Sequence, residues 1–264
     1  MARTITNSMS EILQELELEN ETYVTTRRIN ELAKKYSVGS SPSLIAHRLK
    51  NAGWLIATPQ HGVWEFAPAA YAGAYSKNDP LTGVKAYMIA NPETKCYLCL
   101  QTAVWAHGIA DRIPSRIEIA FPTLPSKHTS EGMISYRYVP AIDPVKRKGV
   151  FCLSPESILV HMTSKPSDVR SWESALEWLP DLVYDINTEK LLYELAERPN
   201  SVKQRTGYLL QNMFPEAADE IGNITGTDSK VRFGPRSKAL RNDEKWMISD
   251  TILPVSPKDM ERVK

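Results

Sequence analysis

The sequence predicts an α+β fold, in which an N-terminal winged helix-turn-helix is followed by a mixed α/β C-terminal domain. The chain has 264 residues, and at roughly 100–200 residues per domain this length favours two domains. The residues up to Phe66 follow the order helix, helix, turn, helix, β-hairpin, which is the layout of a winged helix-turn-helix. Beyond Pro80, patterns typical of strands are followed by patterns typical of helices.

Three helices are predicted before the hairpin. The first has one apolar stripe at helical spacing, formed by Ile5, Met9, Ile12, Leu13 and Leu16. The second follows Thr25 or Thr26 as N-cap and buries Ile29, Leu32 and Ala33. The third begins after Ser41, with Pro42 in its first turn, and ends at Gly53. Its apolar side is predicted to consist of Leu44, Ile45, Leu49 and Ala52.

The hairpin and the linker complete the first half. Short β-prone runs at 54–56 and 63–66 flank a turn that contains Pro59 and Gly62. The composition then shifts to small residues, Gly, Pro and Asn, as in an inter-domain linker. We therefore expect a DNA-binding winged helix-turn-helix at 1–70, a linker at 71–84 and a C-terminal domain at 85–264.

The second half contains both the alternating pattern of strands and the apolar spacing of helices. Strands are expected at 116–121, 134–139 and 246–248. Helical patterns occupy 154–162, 167–179, 188–197 and 201–213, and Pro180 and Pro199 are expected to mark helix boundaries.

The overall charge argues mildly against a DNA-binding protein, but its distribution does not. Lys and Arg number 32 against 31 Asp and Glu, which gives a net charge of +1. Between Thr25 and Gly62, however, Glu31 is the only acid. The cations of this segment are Arg27, Arg28, Lys34, Lys35, Arg48 and Lys50. Such local segregation favours contact with DNA phosphates.

The candidate DNA-binding residues lie on the second and third predicted helices and at the hairpin tip. They are Arg27, Arg28, Ser41, Ser43, His47, Arg48, Lys50, Gln60 and His61. Arg donates to guanine edges in the major groove, and the hairpin tip would reach the minor groove or the backbone. Two alternatives remain open: a solvated surface of a small helical domain, or a winged helix that contacts protein.

A second basic stretch lies near the C-terminus, with Lys146, Arg147 and Lys148 as a smaller cluster elsewhere. The stretch contains Lys230, Arg232, Arg236, Lys238 and Arg241. Either cluster would extend a nucleic-acid footprint or meet an acidic partner, and the alternative is a solvated loop.

Catalytic and metal motifs are weak. Cys96 and Cys99 form a single C-x-x-C, which would need Cys152 with His107, His128 or His161 to complete a zinc site. A buried apolar segment with free thiols is the alternative. No hydrolase, P-loop, dinucleotide or H-E-x-x-H motif occurs. We therefore predict no enzyme, no catalytic residue, no metal and no cofactor.

The N-terminus and the cysteine content indicate a compartment. Residues 1–20 lack the apolar core of a signal peptide, and no stretch approaches the length needed to span a bilayer. Three cysteines do not make a disulfide framework. We expect a cytoplasmic protein without membrane contact.

Three segments of the second half carry a family resemblance. Residues 102–114 read TAVWAHGIADRIP and precede the strand Ile117–Phe121. Residues 153–160 read LSPESILV, and residues 201–210 read SVKQRTGYLL. In this order, behind a winged helix, they resemble the AbiEi antitoxin family of type IV toxin–antitoxin systems.

The resemblance implies a transcriptional repressor that acts in antiviral defence. In this family the winged helix binds inverted repeats of double-stranded DNA in its own promoter. Its DNA-contacting region falls here on the second and third helices, at Arg27, Arg28, Ser41, Ser43, His47, Arg48 and Lys50. The C-terminal domain opposes a nucleotidyltransferase toxin, generally without a stable complex. Two copies on an inverted repeat imply a dimer or cooperative monomers. The alternative is a protein-interaction module that neutralises a partner without binding DNA.

Overall fold

The structure is a computed structural model that describes residues 7–69, 79–125, 132–226 and 229–264. It is a mixed α+β chain that divides into two compact units. The first unit comprises Met1–Lys95 and Lys127–Met133, and the second comprises Cys96–Ser126 and Ile134–Lys264. The start of the first predicted helix, at Ile5, lies outside the described residues.

The first unit contains three helices and a three-stranded sheet before a fourth helix. In chain order these elements are α1 (Asn7–Leu18), β1 (Tyr23–Thr25), α2 (Thr26–Lys35), α3 (Pro42–Asn51), β2 (Leu55–Ala57), β3 (Val63–Phe66) and α4 (Thr82–Ala90). The sheet order is β1-β3-β2, and β3 pairs antiparallel with both neighbours. The helices bury their apolar stripes in one core, whose largest fully buried members are Ile12, Leu16, Ile29, Leu32, Ile45, Leu49 and Phe66.

The helix boundaries of this unit follow from local chemistry. Thr25 Oγ1 accepts a hydrogen bond from Arg28 N at 3.1 Å and caps α2. Gly53, at φ +79°, ends α3, and Trp54 N donates to Leu49 O at 2.9 Å, as in a Schellman motif. The predicted helix stop at Gly53 is therefore confirmed.

Two features of the first unit were not predicted. Strand β1 is only three residues long and is held by pairing with β3. Helix α4 lies in the first unit, although the sequence assigned 71–84 to a linker and began the second domain at residue 85. Within that stretch, residues 71–78 lie outside the described residues.

The second unit is built on a five-stranded sheet of order β6-β5-β4-β8-β7. Its strands and first helix are β4 (Tyr97–Leu98), α5 (Leu100–His107), β5 (Ile117–Phe121), β6 (Met133–Arg137), β7 (Val145–Arg147) and β8 (Val150–Cys152). Strand β4 pairs parallel with β8 and antiparallel with β5. Strand β7 pairs antiparallel with β8 and lies at the edge of the sheet.

Five helices and a small sheet follow. They are α6 (Pro155–Ser164), α7 (Trp172–Tyr184), α8 (Thr188–Leu195), α9 (Asn200–Leu210), α10 (Pro215–Asn223), β9 (Val231–Phe233), β10 (Arg241–Asp243) and β11 (Ile248–Asp250). Two predictions were wrong in detail. Helix α7 continues through Pro180 instead of ending there. The last strand is Ile248–Asp250, two residues beyond the predicted one.

Glu194 on α8 is a buried carboxylate that joins several elements of the second unit. Its side chain has no exposure to solvent. It accepts hydrogen bonds from Tyr138 Oη at 2.6 Å, Ser157 Oγ at 2.9 Å and Arg198 Nη2 at 2.5 Å. The backbone amides of Ala141 and Ile142 donate to it as well, at 2.9 and 3.0 Å. Buried charges need such partners, and here one carboxylate receives five.

Gly207 permits a close approach between α9 and an indole ring. A Cβ added at Gly207 would lie 2.1 Å from the Trp246 ring, whose side chain is almost fully buried. The GYLL part of the family-like segment therefore contains a glycine whose missing side chain makes room for Trp246.

Among the described residues, no helix combines the length and the apolar character that crossing a bilayer requires.

Candidate nucleic-acid interface

The exposed side of α3 carries the polar residues that the sequence singled out. Ser41 Oγ accepts from Leu44 N at 3.4 Å, so that residue caps the helix. Ser43, His47, Arg48 and Lys50 are all exposed. Because residues three and four apart lie on one face of a helix, His47 and Arg48 share their face with position 44. The first turns of α3 thus present hydroxyl, imidazole and guanidinium groups to solvent.

Leu44 is on this exposed face, not in the core as predicted. Its side chain is 42% exposed, whereas Ile45, Ala46 and Leu49 are at most 2% exposed. Three apolar positions already fill the side of α3 that faces the first unit's core. Leu44 is therefore an apolar group among polar ones.

Asn51 also lies on this face, and the sequence analysis missed it. It is exposed, and its Nδ2 lies 3.4 Å from His47 Nδ1. Its position four residues after His47 and three after Arg48 is a helical spacing that would have revealed it. Asn pairs bidentately with adenine edges, which makes it chemically suited to the same surface.

The cations of α3 and α2 differ in their partners. Within the described ranges, no carboxylate lies within ion-pair distance, 4.0 Å, of Arg48 or Lys50. Arg28, in contrast, pairs with Glu21 at 2.6 Å and also with Glu19. Arg27 pairs with Glu31 at 3.1 Å but is 89% exposed. Lys34 on α2 is exposed and, among the described residues, also has no carboxylate within that distance. The unpaired positive charge of the two helices thus lies at Arg48 and Lys50 of α3 and at Lys34 of α2.

Gln60 and His61 lie in the turn between β2 and β3. Thr58 Oγ1 donates to Gln60 O at 3.1 Å and to Val63 O at 2.7 Å, which closes the turn. Gly62 O accepts from Thr26 N at 3.0 Å, so the turn is tied to the start of α2. His61 is exposed at the tip. The turn and α2 therefore keep a fixed relative position.

The C-terminal basic stretch separates into two kinds of residue. Lys230, Arg232, Arg236 and Lys238 are exposed. Arg241 instead bonds Asp250 Oδ2 at 2.7 Å and the carbonyl oxygens of Leu253 and Val255 at 3.0 Å. Arg241 thus stabilises the small sheet, and four cations remain as an accessible group.

The cysteines do not form a reactive site. Cys96, Cys99 and Cys152 are free and buried. Burial raises the pKa of Cys96 to about 11 and that of Cys152 to about 12, and it raises the pKa of Cys99 well above its usual value. Thiols with such pKa values stay protonated and are weak nucleophiles and ligands.

The histidines proposed as their zinc partners lie in other settings. His107 Nε2 lies 2.8 Å from Leu153 O, and burial lowers its pKa. His161 is buried and stacks on Tyr138, with ring centroids 4.5 Å apart. Burial lowers its pKa to about 3. His128 lies outside the described residues, and within them no group of three or more His, Cys, Asp or Glu side chains is arranged to hold a metal.

Comparison with known proteins identifies the second unit. Residues 97–212 match the family model of the AbiEi antitoxin C-terminal domain. The second unit therefore carries a domain of the class found in the antitoxins of toxin–antitoxin systems. The family of this domain is AbiEi: all three segments that suggested the resemblance lie within the matched residues, and the predicted resemblance is confirmed.

The fold has a counterpart among solved structures. The chain is similar to the RV2827C protein from Mycobacterium tuberculosis, whose crystal structure aligns with a TM-score of 0.77 at 23% identity. The alignment covers 95% of this chain and 94% of that one. This likeness shows that the two proteins share a fold. No match is found among curated proteins.

Proposed function

We propose that the first unit is a winged helix-turn-helix that binds double-stranded DNA and represses its own toxin–antitoxin operon. The supporting observation is the exposed polar face of α3, with Arg48 and Lys50 free of carboxylates in the described part of the chain. In this class of motif the second helix enters the major groove and its first residues meet base edges. The hairpin β2–β3 then acts as the wing, with Gln60 and His61 at its tip.

The contributions of the candidate residues differ in this proposal. Ser43, His47, Arg48 and Lys50 form the groove-facing set, in which the two cations also contact phosphates, and Ser41 acts by capping α3. Arg27 contacts a phosphate at the flank. Arg28 serves mainly to hold Glu19 and Glu21, because a guanidinium already paired with two carboxylates gains little from a phosphate.

The second part of the proposal concerns the antitoxin domain. An antitoxin family implies a toxin, and we propose a nucleotidyltransferase toxin that the C-terminal domain counteracts without a stable complex. The protein has no catalytic residue in this proposal and acts in the cytoplasm. The boundaries 1–70, 71–84 and 85–264 remain our proposal for the functional domains, whereas the first compact unit extends past them to Lys95 and includes α4. Binding to inverted repeats would require two copies.

The groove assignment is tested by removing its two free cations. The variant with Arg48→Ala and Lys50→Ala is expected to bind the DNA fragment upstream of its own gene more weakly. It should also lower the salt slope of binding by about two, because each lost phosphate contact removes about one. Gel-shift titrations at several salt concentrations measure both quantities.

A matched control is Lys190→Ala, which removes an exposed cation from α8 in the second unit. It should leave affinity and slope unchanged. If the double variant behaves like this control while the parent binds, the groove assignment is wrong. If the intact parent does not bind the fragment, the alternative of a pure protein-interaction module is favoured.

Leu44 is expected to contact a thymine methyl group in the groove. Apolar side chains meet this methyl group in the major groove, and burying one methyl is worth about 0.8 kcal/mol, or about fourfold in affinity. Replacing the fragment's thymines with uracil should therefore weaken binding of the parent by about this factor per contacted methyl group. Leu44→Ala should bind more weakly and be insensitive to the replacement. Leu18→Ala, at another exposed leucine, should respond like the parent.

A further inference from the structure

The hairpin β7–β8 at the edge of the five-stranded sheet has no role in the function proposed above. Its turn consists of Lys148 and Gly149, at φ +48° and +82°, as a tight two-residue hairpin turn requires. Strand β7 is the last strand of its sheet, so one side of the hairpin is open along its length.

One face of the hairpin combines a cation with an exposed aromatic ring. Lys146 lies directly opposite Phe151 in the antiparallel register, so the two side chains leave the sheet on the same face. Both are exposed, and Phe151 retains 47% of its accessible surface. The adjacent position on β8, Cys152, is buried. Because successive side chains of a strand point to opposite faces, burial of Cys152 places the Phe151 ring on the solvent-exposed face.

The tip adds two more cations and a second ring. Arg147 and Lys148 are exposed, and Lys148 Nζ lies 4.7 Å from the centroid of the Trp105 ring. In the described residues, no carboxylate lies within ion-pair distance of any of the three cations. The charge of the hairpin is therefore not neutralised by the chain itself.

We propose that this hairpin binds single-stranded nucleic acid. Lys146 beside the ring and the cations of the turn suit a chain of phosphates, and the exposed phenyl ring opposite Lys146 offers a stacking surface for a base. A duplex keeps its bases stacked on one another, so an aromatic platform favours an unpaired strand. The shared ligand chemistry is a phosphodiester chain with unstacked bases, in RNA or in DNA. The site lies in the antitoxin domain and is independent of the α3 face.

The test uses the full-length protein and fluorescence anisotropy with oligouridylate and oligothymidylate of about 12 nucleotides, within the usual site size of such proteins. The Phe151→Leu variant keeps an apolar side chain but removes the ring. It should weaken binding by about tenfold, since stacking of one base contributes about 1–3 kcal/mol. The Lys146→Ala, Lys148→Ala variant should lower the salt slope by about 1.4, at about 0.7 per phosphate on a single strand.

The controls separate this site from the others. The Arg48→Ala, Lys50→Ala variant should bind the oligonucleotides like the parent, even if it fails on promoter DNA. A stronger response with oligouridylate than with oligothymidylate identifies RNA as the ligand, and the reverse identifies DNA. The proposal is overturned if Phe151→Leu binds like the parent, or if polyglutamate competes as well as the oligonucleotides do. The latter result would assign the hairpin to an acidic protein surface. Circular dichroism confirms that each variant is folded.

Discussion

Glu194→Ala is expected to lower the free energy of unfolding of the second unit by about 3–5 kcal/mol, the range for breaking a buried ion pair from one side. The carboxylate has no exposure and accepts bonds from Arg198 and from two backbone amides, among others. Alanine leaves these donors without their acceptor. It also leaves the Arg198 side chain, only 21% exposed, without its carboxylate. Urea unfolding followed by circular dichroism measures the loss.

Two further variants show whether the lost charge or the lost packing causes this loss of stability. Glu194→Gln keeps the shape but turns an amide NH₂ toward donors, so it should lose almost as much stability as alanine. Glu197→Ala, at an exposed position shortly after α8, should change stability by less than about 0.5 kcal/mol. Equal and small effects of all three would contradict the role of Glu194 as a structural centre.

Gly207→Ala is expected to destabilise the same unit by about 3 kcal/mol, at the upper end of the usual cost of overpacking. The new methyl group would meet three atoms of the Trp246 ring within 2.6 Å, and that ring is buried and cannot move into solvent. The strain outweighs the gain of about 1 kcal/mol that alanine normally brings to a helix interior. The same unfolding experiment reports the difference.

Gly222 on α10 is a matched control against the same ring. A Cβ there would lie 3.7 Å from Trp246, which is ordinary van der Waals contact. Gly222→Ala is therefore expected to be neutral or slightly stabilising. If the two substitutions have similar effects, the close approach at Gly207 is not what fixes that glycine.

The first unit was predictable where its signals are local. Thr25, Ser41 and Gly53 act on backbone groups within a few residues, so the ends of α2 and α3 can be read from the sequence. Strand β1 could not be read in this way. It is three residues long and exists because Tyr23 to Thr25 pair with β3, about 40 residues further on.

The candidate interface also contains residues whose exposure could be predicted from the sequence and one, Leu44, whose exposure could not. Exposure of Ser43, His47, Arg48 and Lys50 was predicted from helical spacing and is what the structure has. Hydrophobicity alone placed Leu44 in the core, because the sequence does not tell how wide the buried stripe of a short helix is.

The cations that turned out to be paired show why charge counting fails. Arg28 meets carboxylates from residues that precede α2, and Arg241 meets Asp250 across the small sheet. Both pairings depend on tertiary structure. A count of basic residues therefore overestimates the charge that is available to a ligand.

The location and burial of the three cysteines have a practical consequence. Residues 1–95 and 127–133 contain no cysteine, so every thiol of the protein belongs to the second unit. Because all three are buried, a thiol-reactive dye can label them only in molecules where that unit has opened. The unmodified chain thus carries its own reporter: labelling rates follow the opening of the second unit alone, whatever happens in the first.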